Sequence, residues 1–117
     1  MTVIFDVAIS ATLSDFKTFI SQNNLSNAGL IKDGVGMSLI HYAAQGGNIE
    51  VFRYLIEQGA DVDIESYTKW TALHMAAKYG KVEMMTFLLE NGSTKLEAKN
   101  MNGHAPIHLA IQESNTI

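Results

Sequence analysis

The sequence contains no cysteine, which excludes disulfide bonds, thiol catalysis and zinc sites built on thiolates. Lysine and arginine occur only as scattered residues and the formal net charge is −4, so no surface suited to nucleic acid is expected. The apolar runs are too short to span a bilayer, and the N-terminal stretch, MTVIFDVAISATLSD, lacks the basic start of a secretory signal. These absences predict a soluble, cytoplasmic protein without nucleic-acid or membrane partners.

The remaining composition is that of a folded protein. Hydrophobic residues make up 47% of the 117 residues and charged residues 17%, which favours a packed core over disorder. We therefore expect one domain over residues 1–117.

The stretch 70–92, WTALHMAAKYGKVEMMTFLLENG, contains two helical stripes separated at Gly80. The predicted apolar faces are Leu73, Ala76 and Ala77 for the first helix, and Val82, Met85, Leu88 and Leu89 for the second. Two such short helices cannot enclose a core alone, so the unit must pack against another copy of itself.

Related stripes occur along the whole chain. His41 and His74 mark corresponding positions 33 residues apart, and the second copy repeats the stripe as Ile49, Phe52, Leu55 and Ile56. We divide the chain into copies at approximately 2–32, 33–65, 66–99 and 100–114. The first is a degenerate cap, and the last is a half repeat that lacks a second helix.

Two motifs recur in register, and a third occurs once. Helix starts read SLIH (38–41), TALH (71–74) and APIH (105–108); helix breaks read GNIEV (47–51) and GKVEM (80–84); one exit reads GADVD (59–63). This pattern resembles the ankyrin repeat. The resemblance implies an all-α fold, an ankyrin-repeat solenoid of stacked antiparallel helix pairs with projecting hairpin loops. It also implies a concave face that binds other proteins and no enzyme chemistry.

One turn departs from the family pattern. Gly36 and Gly103 stand where the family usually has glycine before the helix, but the third copy has Lys69 there. We expect Lys69 to adopt a positive φ at some cost in stability.

Histidines are the candidate metal ligands. His104 and His108 have the i, i+4 spacing of metal-binding helices, but no cysteine or third ligand accompanies them. His41, His74 and His108 recur with the repeat, and the resemblance implies that they hydrogen-bond locally to hold helix start and turn together. We therefore expect no metal, no cofactor and no catalytic residues.

Aromatic residues outside the stripes are the main candidates for partner binding. The resemblance places Tyr67, Trp70 and Tyr79 at variable positions of the fingers and of the first helix, although Trp70 could instead pack on the neighbouring finger. The other residues at matching positions are Val35, Met37, Gln45, Met101, Asn102, His104, Gln112 and Glu113, and Lys78 and Lys99 add charge at the rim.

Two functions follow as hypotheses. The first is a non-catalytic protein-protein interaction module, in a more specific variant an inhibitor or immunity-type protein. The alternative is small-ligand or nucleotide binding by the aromatic group around Trp70 and Tyr79. Because the fourth copy ends without a second helix, we expect a sticky C-terminal edge: either the parent chain continues, or the edge self-associates, or residues 115–117 cap it.

Overall fold

The computed structural model describes residues 3–23, 31–91, 98–106 and 108–109. Within these ranges the chain forms six helices and no strand apart from an isolated bridge between Lys32 and Ser38. The helices are α1 (Val3–Ser10), α2 (Leu13–Gln22), α3 (Leu39–Gly46), α4 (Ile49–Glu57), α5 (Ala72–Lys78) and α6 (Val82–Glu90). Pro106 opens a further helical turn, in which the N–H of His108 donates to Ala105 O.

The helices form two layers. The first helices of the pairs lie side by side, with α1 against α3 and α3 against α5, while α2 packs on α4 behind them. The molecule is elongated, with principal extents of 41 × 25 × 25 Å. This is the all-α arrangement of stacked helix pairs that the sequence predicts. None of the described helices is both long and apolar enough to cross a membrane.

Polar side chains fix the helix starts. Thr12 Oγ1 accepts from the N–H of Asp15 at 3.1 Å, and Thr71 Oγ1 accepts from the N–H of His74 at 3.2 Å. Each bond satisfies a donor that the first turn would otherwise leave unpaired. Gly47 caps the C-terminal end of α3. Its φ of 69° lies in the left-handed region, a conformation that commonly ends helices.

The core forms where small residues let neighbouring first helices approach. Ala43, Ala44, Ala76 and Ala77 are fully buried, as the first-helix stripes predict. Larger side chains pack in the second layer, where Phe52 of α4 lies edge-on against Phe87 of α6 with ring centroids 5.9 Å apart.

The predicted face of α6 is partly wrong. Val82 is 69% exposed and Leu89 45% exposed, whereas Met84, absent from the predicted stripe, is 1% exposed. Successive residues of a helix are rotated by about 100°, so the apolar residues of α6 spread over a wider face than the neighbouring helices can bury. The side of this face that carries Met84 and Leu88 packs against the core. The other side of this face stays at the surface. Helix α4 shows the same shift, since Val51 is buried and the predicted Ile49 is only half-buried.

The expected positive φ at Lys69 is confirmed. Its φ is 65°, the only positive value at a non-glycine among the described residues, and the corresponding Gly36 and Gly103 have φ of 81° and 80°. An L side chain in this region costs roughly 1 kcal/mol.

Lys69→Gly is therefore expected to raise the free energy of unfolding by up to about 1 kcal/mol, because glycine accepts this φ without the Cβ clash. Urea denaturation measures the change. Lys69→Ala is the matched control, since it removes the charge but keeps the Cβ, and it should bring no gain. A clear loss of stability in the glycine variant would contradict the strain argument.

Candidate interaction surface

Three hairpin fingers project from the helix starts, at residues 33–37, 66–70 and 100–104, and all are built alike. In each, the first side chain accepts hydrogen bonds from the backbone two and four residues later. Asp33 Oδ1 accepts from Val35 and Met37 at 3.0 and 2.9 Å, Ser66 Oγ from Thr68 and Trp70 at 3.3 and 3.1 Å, and Asn100 Oδ1 from Asn102 and His104 at 2.9 and 3.1 Å. Because Asp, Ser and Asn differ chemically, sequence comparison of the copies missed this shared device.

The fingers are also joined to each other. The N–H of Tyr67 donates to Val35 O at 3.1 Å, and the N–H of Met101 donates to Thr68 O at 2.9 Å. These bonds set the three fingers side by side in one row.

Buried histidines connect each helix start to the next finger. The N–H of Ser38 donates to His41 Nδ1 at 2.9 Å, and His41 Nε2 lies 2.7 Å from Trp70 O. A backbone N–H can only donate, so Nδ1 accepts and Nε2–H donates to the carbonyl. His74 repeats the arrangement, with the N–H of Thr71 at 3.1 Å and His104 O at 3.0 Å.

These contacts give the histidines a structural role. The predicted local bond at the helix start is confirmed, and the second bond, to the following finger, was not predicted. His108 accepts from the N–H of Ala105 at 3.2 Å but is exposed. The part of the chain that the structure describes contains no group of three His, Asp or Glu side chains placed to hold a metal.

Burial lowers the pKa of both His41 and His74 below the ordinary value of 6.5, partly opposed by the carbonyls that they contact. The unfolded chain therefore binds protons near pH 6 that the folded chain does not.

Consequently the free energy of unfolding should be at its full value above about pH 7 and should decrease as the pH falls below about 6.5. Urea denaturation across this range measures the slope, and His108→Ala, at an exposed histidine, should retain it. A free energy that stays constant from about pH 7 down to about pH 5 would contradict the assigned histidine roles.

Tyr42 anchors the first finger to α3. Its hydroxyl donates to Asp33 Oδ2, and its ring contacts Phe5 with centroids 5.0 Å apart. Burial, followed by the Asp33 carboxylate, raises the pKa of Tyr42 to about 12. Burial opposes ionisation of Asp33, but the bonds from Tyr42 and from the N–H groups of Met37 and Val35 outweigh it and lower its pKa. Sequence reasoning singled out neither Tyr42 nor Asp33.

The predicted binding residues fall into two groups. The finger group contains exposed Val35, Tyr67, Met101 and Asn102, with Met37, Trp70 and His104 half-buried. The second group lies at the C-terminal ends of α3 and α5 and contains half-buried Gln45 with exposed Lys78 and Tyr79. Gln112 and Glu113 lie outside the described residues.

Trp70 packs more closely into the fold than its position outside the helical stripes suggested. Its ring packs against the core and lies 5.6 Å from the ring of His74, while its carbonyl accepts from His41. Trp70 precedes α5 and Tyr79 follows it, so a helix of seven residues, roughly 10 Å long, separates the two rings. They do not face each other as a clamp.

An open groove of about 580 Å³ runs along the helix ends at Tyr79. It is lined by Ile9, Ser10, Ala11, Thr12, Gln45, Gly46, Asn48, Tyr79 and Lys81. Its walls come from the turns of three successive helix pairs, so stacking of the pairs creates it.

Comparison with known proteins supports the repeat assignment. A family model described as ankyrin repeats, in three copies, matches residues 5–100 and 65–117. Comparison with the curated proteins gives no match.

Proposed function

Because the chain belongs to the ankyrin-repeat family, whose repeats are generally protein-protein interaction modules, we propose that it binds a partner protein through its fingers and the exposed face of its first helices. In this role the domain, residues 1–117, is non-catalytic and works in the cytoplasm. A small binding domain of this kind suits an inhibitor or immunity-type role, in which it covers a surface of its target.

The observation that carries the proposal is the way the fingers are held. Side chains at the finger bases, backbone bonds between fingers and buried histidines behind them fix the row before any partner arrives. A preformed surface loses little conformational entropy on binding, which leaves more of the contact energy for affinity.

The alternative of a small ligand between Trp70 and Tyr79 receives less support. A ring-binding site normally encloses its ligand between facing groups. Here α5 stands between the two side chains, and the groove beside Tyr79 is open to solvent.

Tyr79→Ala and Trp70→Ala should each weaken partner binding by roughly 1–3 kcal/mol, because large aromatic rings supply much of the energy of such interfaces. A partner is first captured from cell extract by affinity pull-down. Titration calorimetry with that partner then measures the loss of affinity. Thermal melts run in parallel separate binding from folding, which matters most for Trp70 because its ring touches the core.

Glu57→Ala and Glu90→Ala on the second helices are the matched controls, since both side chains are exposed on the opposite side. They should leave affinity unchanged. If they abolish binding while the aromatic variants do not, the binding surface lies on the second helices instead.

A further inference from the structure

We propose that the fingertips bind an extended acidic peptide segment carrying apolar side chains. The surface, here called the fingertip ridge, consists of Val35, Tyr67 and Met101 with the lysines Lys32, Lys69 and Lys99. The proposal rests on the proposed function and adds the chemistry of the partner.

The apolar part of the ridge is exposed. Val35 is 55%, Tyr67 67% and Met101 65% exposed, whereas most large apolar side chains among the described residues are buried or half-buried. Tyr67 lies across the first finger, since a Cβ on Gly36 would come within 2.6 Å of the Tyr67 ring. Exposed apolar groups in one row, held by backbone bonds, are typical of a binding site.

The charges of the molecule are sorted between its two sides. The exposed lysines Lys32, Lys69 and Lys99 flank the apolar ridge. Within the three fingers, all of which the structure describes, the one carboxylate is that of Asp33, and it accepts hydrogen bonds from Tyr42 and the finger backbone; Glu65, next to the second finger, is exposed.

The second helices show the opposite balance. They expose five carboxylates and two cations, and both cations lie over aromatic rings: Lys17 over Tyr54 at 5.0 Å and Arg53 over Phe87 at 5.3 Å. In a protein of net charge −4, the fingertips are therefore the side that attracts an acidic partner.

The shape of the ridge favours an extended occupant. Neighbouring repeats are spaced by roughly 10 Å, the usual distance between packed helices. In the polyproline II conformation an extended chain has three residues per turn and advances about 3.1 Å per residue, so every third side chain lies on the same face and can reach the next finger. Carboxylates at the intervening positions would meet the lysines.

The test is selection from a random peptide library displayed on phage, using the full chain as bait. Selected peptides should be enriched in Asp and Glu together with apolar residues. A synthetic peptide of the most enriched sequence is then titrated by fluorescence anisotropy at low and at raised salt. Raised salt should weaken its binding several-fold.

Two variants locate the site. Tyr67→Ala should lower the affinity for the peptide about ten-fold, as removal of a central aromatic anchor does. The triple variant Lys32→Gln, Lys69→Gln, Lys99→Gln should also lower the affinity for the peptide about ten-fold, and it should remove the salt dependence of binding. Val82→Ala with Leu89→Ala, at exposed apolar residues of α6, is the control and should bind normally. Circular dichroism verifies that every variant is folded.

Enrichment of basic or uncharged peptides, or none, would overturn the proposal. If such peptides still depend on Tyr67 or Tyr79, the proposed function stands and only the acidic partner is wrong. If binding depends on Val82 and Leu89 alone, both proposals fail.

Discussion

Replacing Gly46 with alanine is expected to lower the free energy of unfolding by about 3 kcal/mol, because the new methyl group has no room. A Cβ on Gly46 would lie 2.0 Å from Ile9 O and 2.8 Å from Ile9 C, which are backbone atoms of α1. Backbone cannot rotate aside as a side chain can, so α1 would have to move away from α3 and weaken the core between them.

Gly34→Ala is the control for this experiment. No atom lies within 4 Å of a Cβ built on Gly34, so this variant should unfold with nearly unchanged free energy in urea. Equal stability of the Gly46 variant and the wild type would show that α1 does not approach α3 this closely.

His74→Ala is expected to lower the free energy of unfolding by about 3 kcal/mol. The substitution leaves the N–H of Thr71 and the carbonyl of His104 without their present partner, and each unpaired buried group costs about 1–3 kcal/mol. It also breaks a link between the helix start and the following finger.

His108→Ala is the matched comparison, because His108 makes the same bond at the helix start but is exposed. Its loss should cost well under half as much. Zinc added to the wild type should leave the melting temperature unchanged. A large zinc-dependent rise that His74→Ala abolishes would replace the structural role with metal binding.

Features that depend on repetition could be predicted from the sequence. The helix pairs, the stripes of the first helices, the caps at Ser38 and Thr71 and the strained Lys69 all follow from comparing copies. What repeats is visible in sequence because corresponding positions share a chemical type.

Features that depend on contacts between unlike residues could not be predicted from the sequence. Gly46 corresponds to Tyr79 in the next copy, so its role in the close approach of α1 left no repeated signal. The finger bases use Asp33, Ser66 and Asn100 for one purpose, and the Tyr42–Asp33 bond occurs in one copy only. The wide apolar face of α6 left the choice of buried side to tertiary packing.

The central claim is that partners bind on the fingers and first helices. Its most direct test is photo-crosslinking in an extract of the source cells, with a benzophenone amino acid placed in turn at Tyr67, Tyr79, Glu57 and Glu90. These positions are all exposed, two on the proposed surface and two on the second helices. We expect one discrete adduct from Tyr67 and Tyr79 and none from Glu57 or Glu90. An adduct formed only from the two glutamate positions would contradict it.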